Sequence, residues 1–178
     1  MTANLSTRAA SAVLCAGLTL WVMPVHAQQP CAGFSWNVSR ELALFAGEPA
    51  TLTAGTDGSA APLLSIGRLY RLQLRPVADV HFAAAPGKRN GLASGFAGLA
   101  ALEIGASGKY RFAVDAPFWI DVVTDGGLMQ ASGHQGDAGC SGPHKLVEFD
   151  LPAAGRLLLQ FSGASDDSVR VTVTAVAH

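Results

Sequence analysis

The stretch Gly105-Ala106-Ser107-Gly108-Lys109-Tyr110-Arg111-Phe112-Ala113-Val114-Asp115-Ala116-Pro117-Phe118-Trp119-Ile120-Asp121-Val122-Val123 decides the fold class. Its first half alternates, with Tyr110, Phe112 and Val114 on one side and Lys109 and Arg111 on the other. The chain turns at Asp115-Ala116-Pro117, and the alternation then resumes. Period-two patterning on both sides of a short turn is the pattern of two adjacent strands with one face buried.

The same pattern recurs outward from this pair. Downstream, Lys145–Leu151 places Val147, Phe149 and Leu151 inward and Glu148 and Asp150 outward. Leu157, Leu159 and Phe161 share a face, and Val169–Thr174 alternates valine with polar residues. Upstream, Tyr70, Leu72 and Leu74 oppose Arg71, Gln73 and Arg75, and Phe34–Val38 and Val77–Phe82 read as further strands. Arg40–Ala46 fits a short strand or a helical turn equally well. Phe96–Ile104 is apolar throughout, and its flanking and internal glycines favour strand over helix. Gly133–Pro143 reads as a long loop. The expectation is an all-β, antiparallel two-sheet sandwich, jelly-roll-like, with about eight or nine strands separated by Gly, Pro and Asp turns.

The N-terminus carries a compartment signal. Arg8 precedes an uncharged apolar run from Ala9 to Met23, followed by Val25-His26-Ala27 with small residues at the cleavage positions. Residues 1–27 are therefore expected to be a signal peptide and 28–178 a single domain, periplasmic or secreted. The apolar run is short for a membrane span, which needs about 20 residues, and no second such run follows in the expected mature chain. Of the three cysteines, Cys15 lies in the leader; Cys31 and Cys140 remain, and an oxidising compartment predicts that they pair. A formal net charge of −1 gives no basis for nucleic-acid binding.

The half from about Gly105 to Val176 resembles the bacterial pre-peptidase C-terminal type of domain. The likeness is carried by Gly108-Lys109-Tyr110-Arg111-Phe112, by Gly155-Arg156-Leu157-Leu158-Leu159-Gln160-Phe161-Ser162-Gly163 and by the closing Val/Thr strand. The resemblance implies a jelly-roll sandwich that accompanies secreted enzymes without being catalytic. The expected mature chain also resembles small exported proteobacterial proteins that share Trp119-Ile120-Asp121-Val122-Val123 and Cys140 with Pro143-His144-Lys145, and that are named automatically as homogentisate 1,2-dioxygenase. That name implies a cupin-type iron site.

The residues test that implication. Gly136, Gly142, His144, Glu148 and Gly155 follow the spacing of the first cupin motif, but Gly142 occupies its first histidine position. For the second motif only the terminal His178 remains downstream. A divalent ion such as iron would need His144 and Glu148 with His134 and His81 as partners, since catalytic sites use about three or more protein ligands. Asp125, Asp137 and Asp166 lack the spacing of a calcium loop. No Gly-x-Ser-x-Gly elbow occurs, and Asp121/Asp125 and Asp166-Asp167 read as strand and turn residues rather than acid–base pairs.

Trp119 stands in the opposite register to Phe118, Ile120 and Val122. With those three in the core, Trp119 and Asp121 share the outer face, and an exposed tryptophan beside an aspartate is a candidate ligand platform. The leading expectation is an exported, non-enzymatic binding or accessory module that needs no cofactor, with a protein or carbohydrate ligand. The alternative is a metal-dependent, cupin-like enzyme such as a dioxygenase.

Overall fold

A computed structural model describes residues 31–88, 94–125, 127–152 and 154–176. The expected signal peptide, residues 1–27, lies outside the described residues, as do Arg89, Asn90 and Gly91 of the basic loop and His178.

The elements run in the order α1 (Ser39–Phe45), β1 (Ala50–Thr53), β2 (Leu63–Leu64), β3 (Leu69–Gln73), β4 (Arg75–Pro76), a 3-10 turn (Val77–Asp79), β5 (Phe96–Ile104), β6 (Gly108–Val114), β7 (Trp119–Thr124), β8 (Gly127–Leu128), β9 (Gly133–Gly136), β10 (Lys145–Leu151), β11 (Gly155–Ala164) and β12 (Ser168–Ala175). They form two sheets packed as a sandwich. The first has the order β1-β3-β12-β6-β10-β9; the second has β2-β5-β11-β7-β8, with β4 also paired to β5.

The all-β two-sheet expectation holds, with two differences. Among the described residues there are twelve strands rather than eight or nine, because β1, β2, β4, β8 and β9 are short pieces of two to four residues. The sheets are mixed rather than purely antiparallel: β1 pairs with β3, and β2 with β5, in parallel, while the other pairings are antiparallel.

The inner faces follow the alternation. Tyr70, Leu72, Tyr110, Phe112, Val114, Val147, Phe149 and Leu151 from the first sheet meet Ala100, Leu102, Ile104, Ile120, Val122, Leu159 and Phe161 from the second. Phe112 and Phe149 pack edge to face with centroids 5.4 Å apart. Edge-to-face packing sets the electropositive ring edge against the electronegative ring face.

Both outer faces are also covered. On the first sheet, Cys31, Phe34, Val38 and Phe45 pack over Leu69, Ala113 and Leu146. The segment Phe34–Val38, expected as a strand, is a turn leading into α1. Val38, Leu42 and Phe45 are spaced as one helical face and place it on the sheet. The Cys31–Cys140 disulfide fastens this segment, with Cα atoms 4.4 Å apart.

On the second sheet, Ala97, Leu99 and Ala101 of β5 are covered by Ala61, Val80, Val77 and Phe82. Burial on both faces explains why Phe96–Ile104 shows no polar alternation. Val77–Phe82, expected as a strand, begins instead as the 3-10 turn. Its Val80 and Phe82 bury themselves against the outside of this sheet rather than between the two sheets.

Candidate functional site

Strand β7 pairs with β11 in a register that sets Trp119 opposite Ser162 and Asp121 opposite Gln160. Phe118, Ile120 and Val122 face the core, so Trp119 and Asp121 take the outer side. Here the structure corrects the expected exposed pair. Trp119 is partly exposed, but Asp121 is buried at 6% exposure.

The cause is the segment 84–87, which lies across β7 and β11. The Gln160 side chain accepts from the Ala84 amide (2.9 Å) and donates to the Ala84 carbonyl (3.1 Å). Asp121 accepts from the Gly87 amide (3.1 Å) through Oδ2 and from the Trp119 indole Nε1 (2.7 Å) through Oδ1. A Cβ at position 87 would fall 2.8 Å from Asp121 Oδ1 and 3.2 Å from Trp119 Nε1, so this approach requires glycine. Asp121 therefore positions the indole through its N–H and is not itself a contact surface.

Two ammonium groups stand over the Trp119 ring. Lys145 Nζ is 4.9 Å from the centroid and Lys88 Nζ 5.7 Å, both within cation–π range. Lys145 opens β10 in the same register as Val147, Phe149 and Leu151, which is the inward one. Its Nζ donates to the Phe118 carbonyl at 3.0 Å. Burial pushes the Lys145 pKa below its usual value, and the positive charge of Lys88 pushes it the same way, with Asp121 partly opposing.

His134 completes the group from β9, where it pairs with Val147. Trp119, His134 and Lys145 line a cleft of about 300 Å³ together with Lys88, Pro117, Phe118, Ser162 and Gly163. The same three residues, with Ile120, Ala131 and Val147, also line an adjoining slot of about 90 Å³.

The residues suggested as metal ligands do not converge. Among the described residues no three His, Cys, Asp or Glu side chains gather as a metal group. His134 is at the Trp119 cleft. His81 is exposed on the loop that bonds to the Thr56 carbonyl. His144 lies in the turn before β10, where its backbone bonds to Val114 and Asp137.

Glu148, set outward by the alternation of its strand, is nonetheless only 7% exposed and belongs to a different cluster. Its Oε1 accepts from Arg111 Nε (2.9 Å) and Nη2 (2.7 Å). Arg111 Nη1 bonds to the Asn37 carbonyl (2.8 Å) and to Glu41 (3.3 Å), and its guanidinium stacks over Trp36 at 5.0 Å. Glu41, 2% exposed, also accepts from the Thr174 hydroxyl. This buried network fastens α1 to the first sheet, and a carboxylate neutralised there is not free to ligate iron.

The aspartates weighed for calcium are likewise separate. Asp137 accepts from the Gly33 and Gly139 amides, each at 2.9 Å, while Asp166 accepts from Ser165 in its own turn.

Sequence reasoning singled out Trp119, Asp121 and His134 but missed Lys88 and Lys145. The signal for Lys145 was present: a lysine in register with three inward apolar residues of one strand must end at the rim of the core. Among the described residues no helix is long and apolar enough to cross a membrane. A scan against protein-family models finds no match to this chain, and a search of curated proteins finds none either.

Proposed function

We propose that this chain is an exported, non-enzymatic binding module and that its ligand docks at the Trp119 cleft. The observation that carries this reading is the way the fold holds Trp119. Its indole N–H is committed to buried Asp121, its ring lies beneath Lys88 and Lys145, and a slot opens beside it. A ring held in place by hydrogen bonds and neighbouring chain costs little ordering entropy when a ligand arrives. The leader-like residues 1–27 and the Cys31–Cys140 bond are consistent with action outside the cytoplasm. The cupin-like alternative draws no support from Glu148, whose charge is paired with Arg111.

The test is a fragment screen followed by amide and indole NMR shifts on the disulfide-bonded protein. Shifts that converge on Trp119, His134 and Lys145, with every bound fragment recovered chemically intact, are expected. Shifts that converge on Trp36 instead, or turnover of a bound compound, would overturn the proposal. Cell fractionation with N-terminal sequencing checks export, and recovery of an uncleaved protein in the cytoplasm would count against it.

A further inference from the structure

The cleft and its adjoining slot differ in chemistry while sharing Trp119, His134 and Lys145. The slot's other walls are Ile120, Ala131 and Val147, and its volume is about 90 Å³. An apolar cavity of about 150 Å³ accommodates benzene. On that scale the slot suits a smaller group, a branched alkyl chain of about three or four carbons.

On the cleft side stand the two ammoniums over Trp119. They raise each other's electrostatic energy, and among the described residues Lys145 spends one N–H on the protein, at the Phe118 carbonyl. Among the described residues no Asp or Glu lines either cavity. The nearby Asp121 carboxylate is buried and already accepts from Trp119 and Gly87. A second anion placed at the mouth would relieve the repulsion between the lysines and accept from both.

We infer that the Trp119 cleft binds a carboxylate carried on a short branched aliphatic group, its oxygens at Lys145 and Lys88 and its alkyl end in the slot. This rests on the reading of the chain as a binding module and adds the chemistry of the ligand. Two sources carry that chemistry, a free short-chain acid and a peptide ending in leucine or valine.

The experiment is a calorimetric and NMR titration of the disulfide-bonded protein at neutral pH. The probes are isovalerate, its neutral amide, acetate, and a short leucine-ended peptide with a free or an amidated terminus. At least one free-carboxylate leucine-like probe is expected to bind about 10-fold or more tightly than its amide, the worth of a charge-assisted hydrogen bond. The tighter of the free acid and the peptide identifies the source.

Lys145→Met is expected to weaken binding by about 10-fold or more. Ala131→Leu, at an exposed position that tolerates a larger side chain, is expected to fill the slot and reduce isovalerate to the affinity of acetate. Equal binding of acid and amide, an unchanged affinity in Ala131→Leu, or no binding of any carboxylate probe overturns the inference. If carboxylates fail while other fragments still map to Trp119, the ligand class falls and the binding-module reading stands. If nothing maps to Trp119, both fall.

Discussion

Replacing Arg111 with methionine isolates what the buried charge cluster contributes. The guanidinium makes four hydrogen bonds, two to Glu148, one to Glu41 and one to the Asn37 carbonyl, and covers Trp36. Methionine fills much of the volume but leaves the two carboxylates that bonded to the guanidinium buried, at 2% and 7% exposure. Among the described residues Glu148 keeps the longer contact to Lys109, at 3.8 Å, and Glu41 keeps the Thr174 hydroxyl. Removing one partner of a buried ion pair costs about 3–5 kcal/mol, because the surviving charge stays desolvated and unpaired. Against a typical total of about 5–15 kcal/mol, that is a large share of stability.

Urea denaturation with the disulfide intact, followed by circular dichroism and fluorescence, measures the loss. Hydrogen exchange at the Leu42 and Ala46 amides, which bond within α1 and its cap, reports whether the helix detaches first. Replacing Arg111, Glu41 and Glu148 together with apolar residues of similar volume should recover most of the loss, since no buried charge is then orphaned. A single Arg111→Met variant that loses less than about 1 kcal/mol would refute the reasoning. It would mean that α1 rests on its apolar contacts alone.

Three further outcomes follow from the same structure. Replacing both Cys31 and Cys140 with alanine frees a separation of 109 residues and should cost about 2–5 kcal/mol, read from the urea midpoint. Gly98→Ala would place a Cβ 2.5 Å from the Ala54 Cβ and 3.4 Å from Leu74, so overpacking should lower stability by about 1–3 kcal/mol in the same assay. Lys88→Met should raise the Lys145 pKa toward 10.5, because it removes a positive neighbour, and NMR titration of the Lys145 Nζ resonance reads the shift. The linked sign is fixed: with the folded pKa below the unfolded one, the unfolded chain binds the extra proton, so stability rises with pH between the two.

The strands that were legible in the sequence are those in which one apolar face meets the other sheet. Tyr110-Arg111-Phe112 and Val147-Glu148-Phe149 alternate because burial between the sheets selects every second residue. The same alternation misled at Arg111 and Glu148. Period two reports which way a side chain points, not whether something distant in sequence covers it, and here residues 34–45 do. Arg40–Ala46 left a helical turn open beside a short strand, but so short a segment is too little for periodicity to decide alone. The pieces β2, β4 and β8, two residues each, carry no periodicity at all, and their partners are set by tertiary contact.

The candidate site was half legible for a related reason. Trp119 could be assigned to its face from register. The segment that buries Asp121 comes from residues 84–87, whose path over β7 depends on a glycine amide and on Gln160. No local pattern encodes that path.

The two sheets also share an order of assembly. In the first, β12 lies between β3 and β6; in the second, β11 lies between β5 and β7. The strands nearest the C-terminus are thus the keystones of both layers. A ribosome that had released everything up to Pro152 would have produced each sheet as two separated halves with raw edges and no way to join them. The architecture makes folding a late, nearly all-at-once event, dominated by long-range pairings of the kind that fold slowly. During that wait the unpaired edges of β3, β5, β6 and β7 are open to strangers. A stop codon or proteolytic cut just ahead of Gly155 should therefore yield an aggregating chain rather than a smaller sandwich.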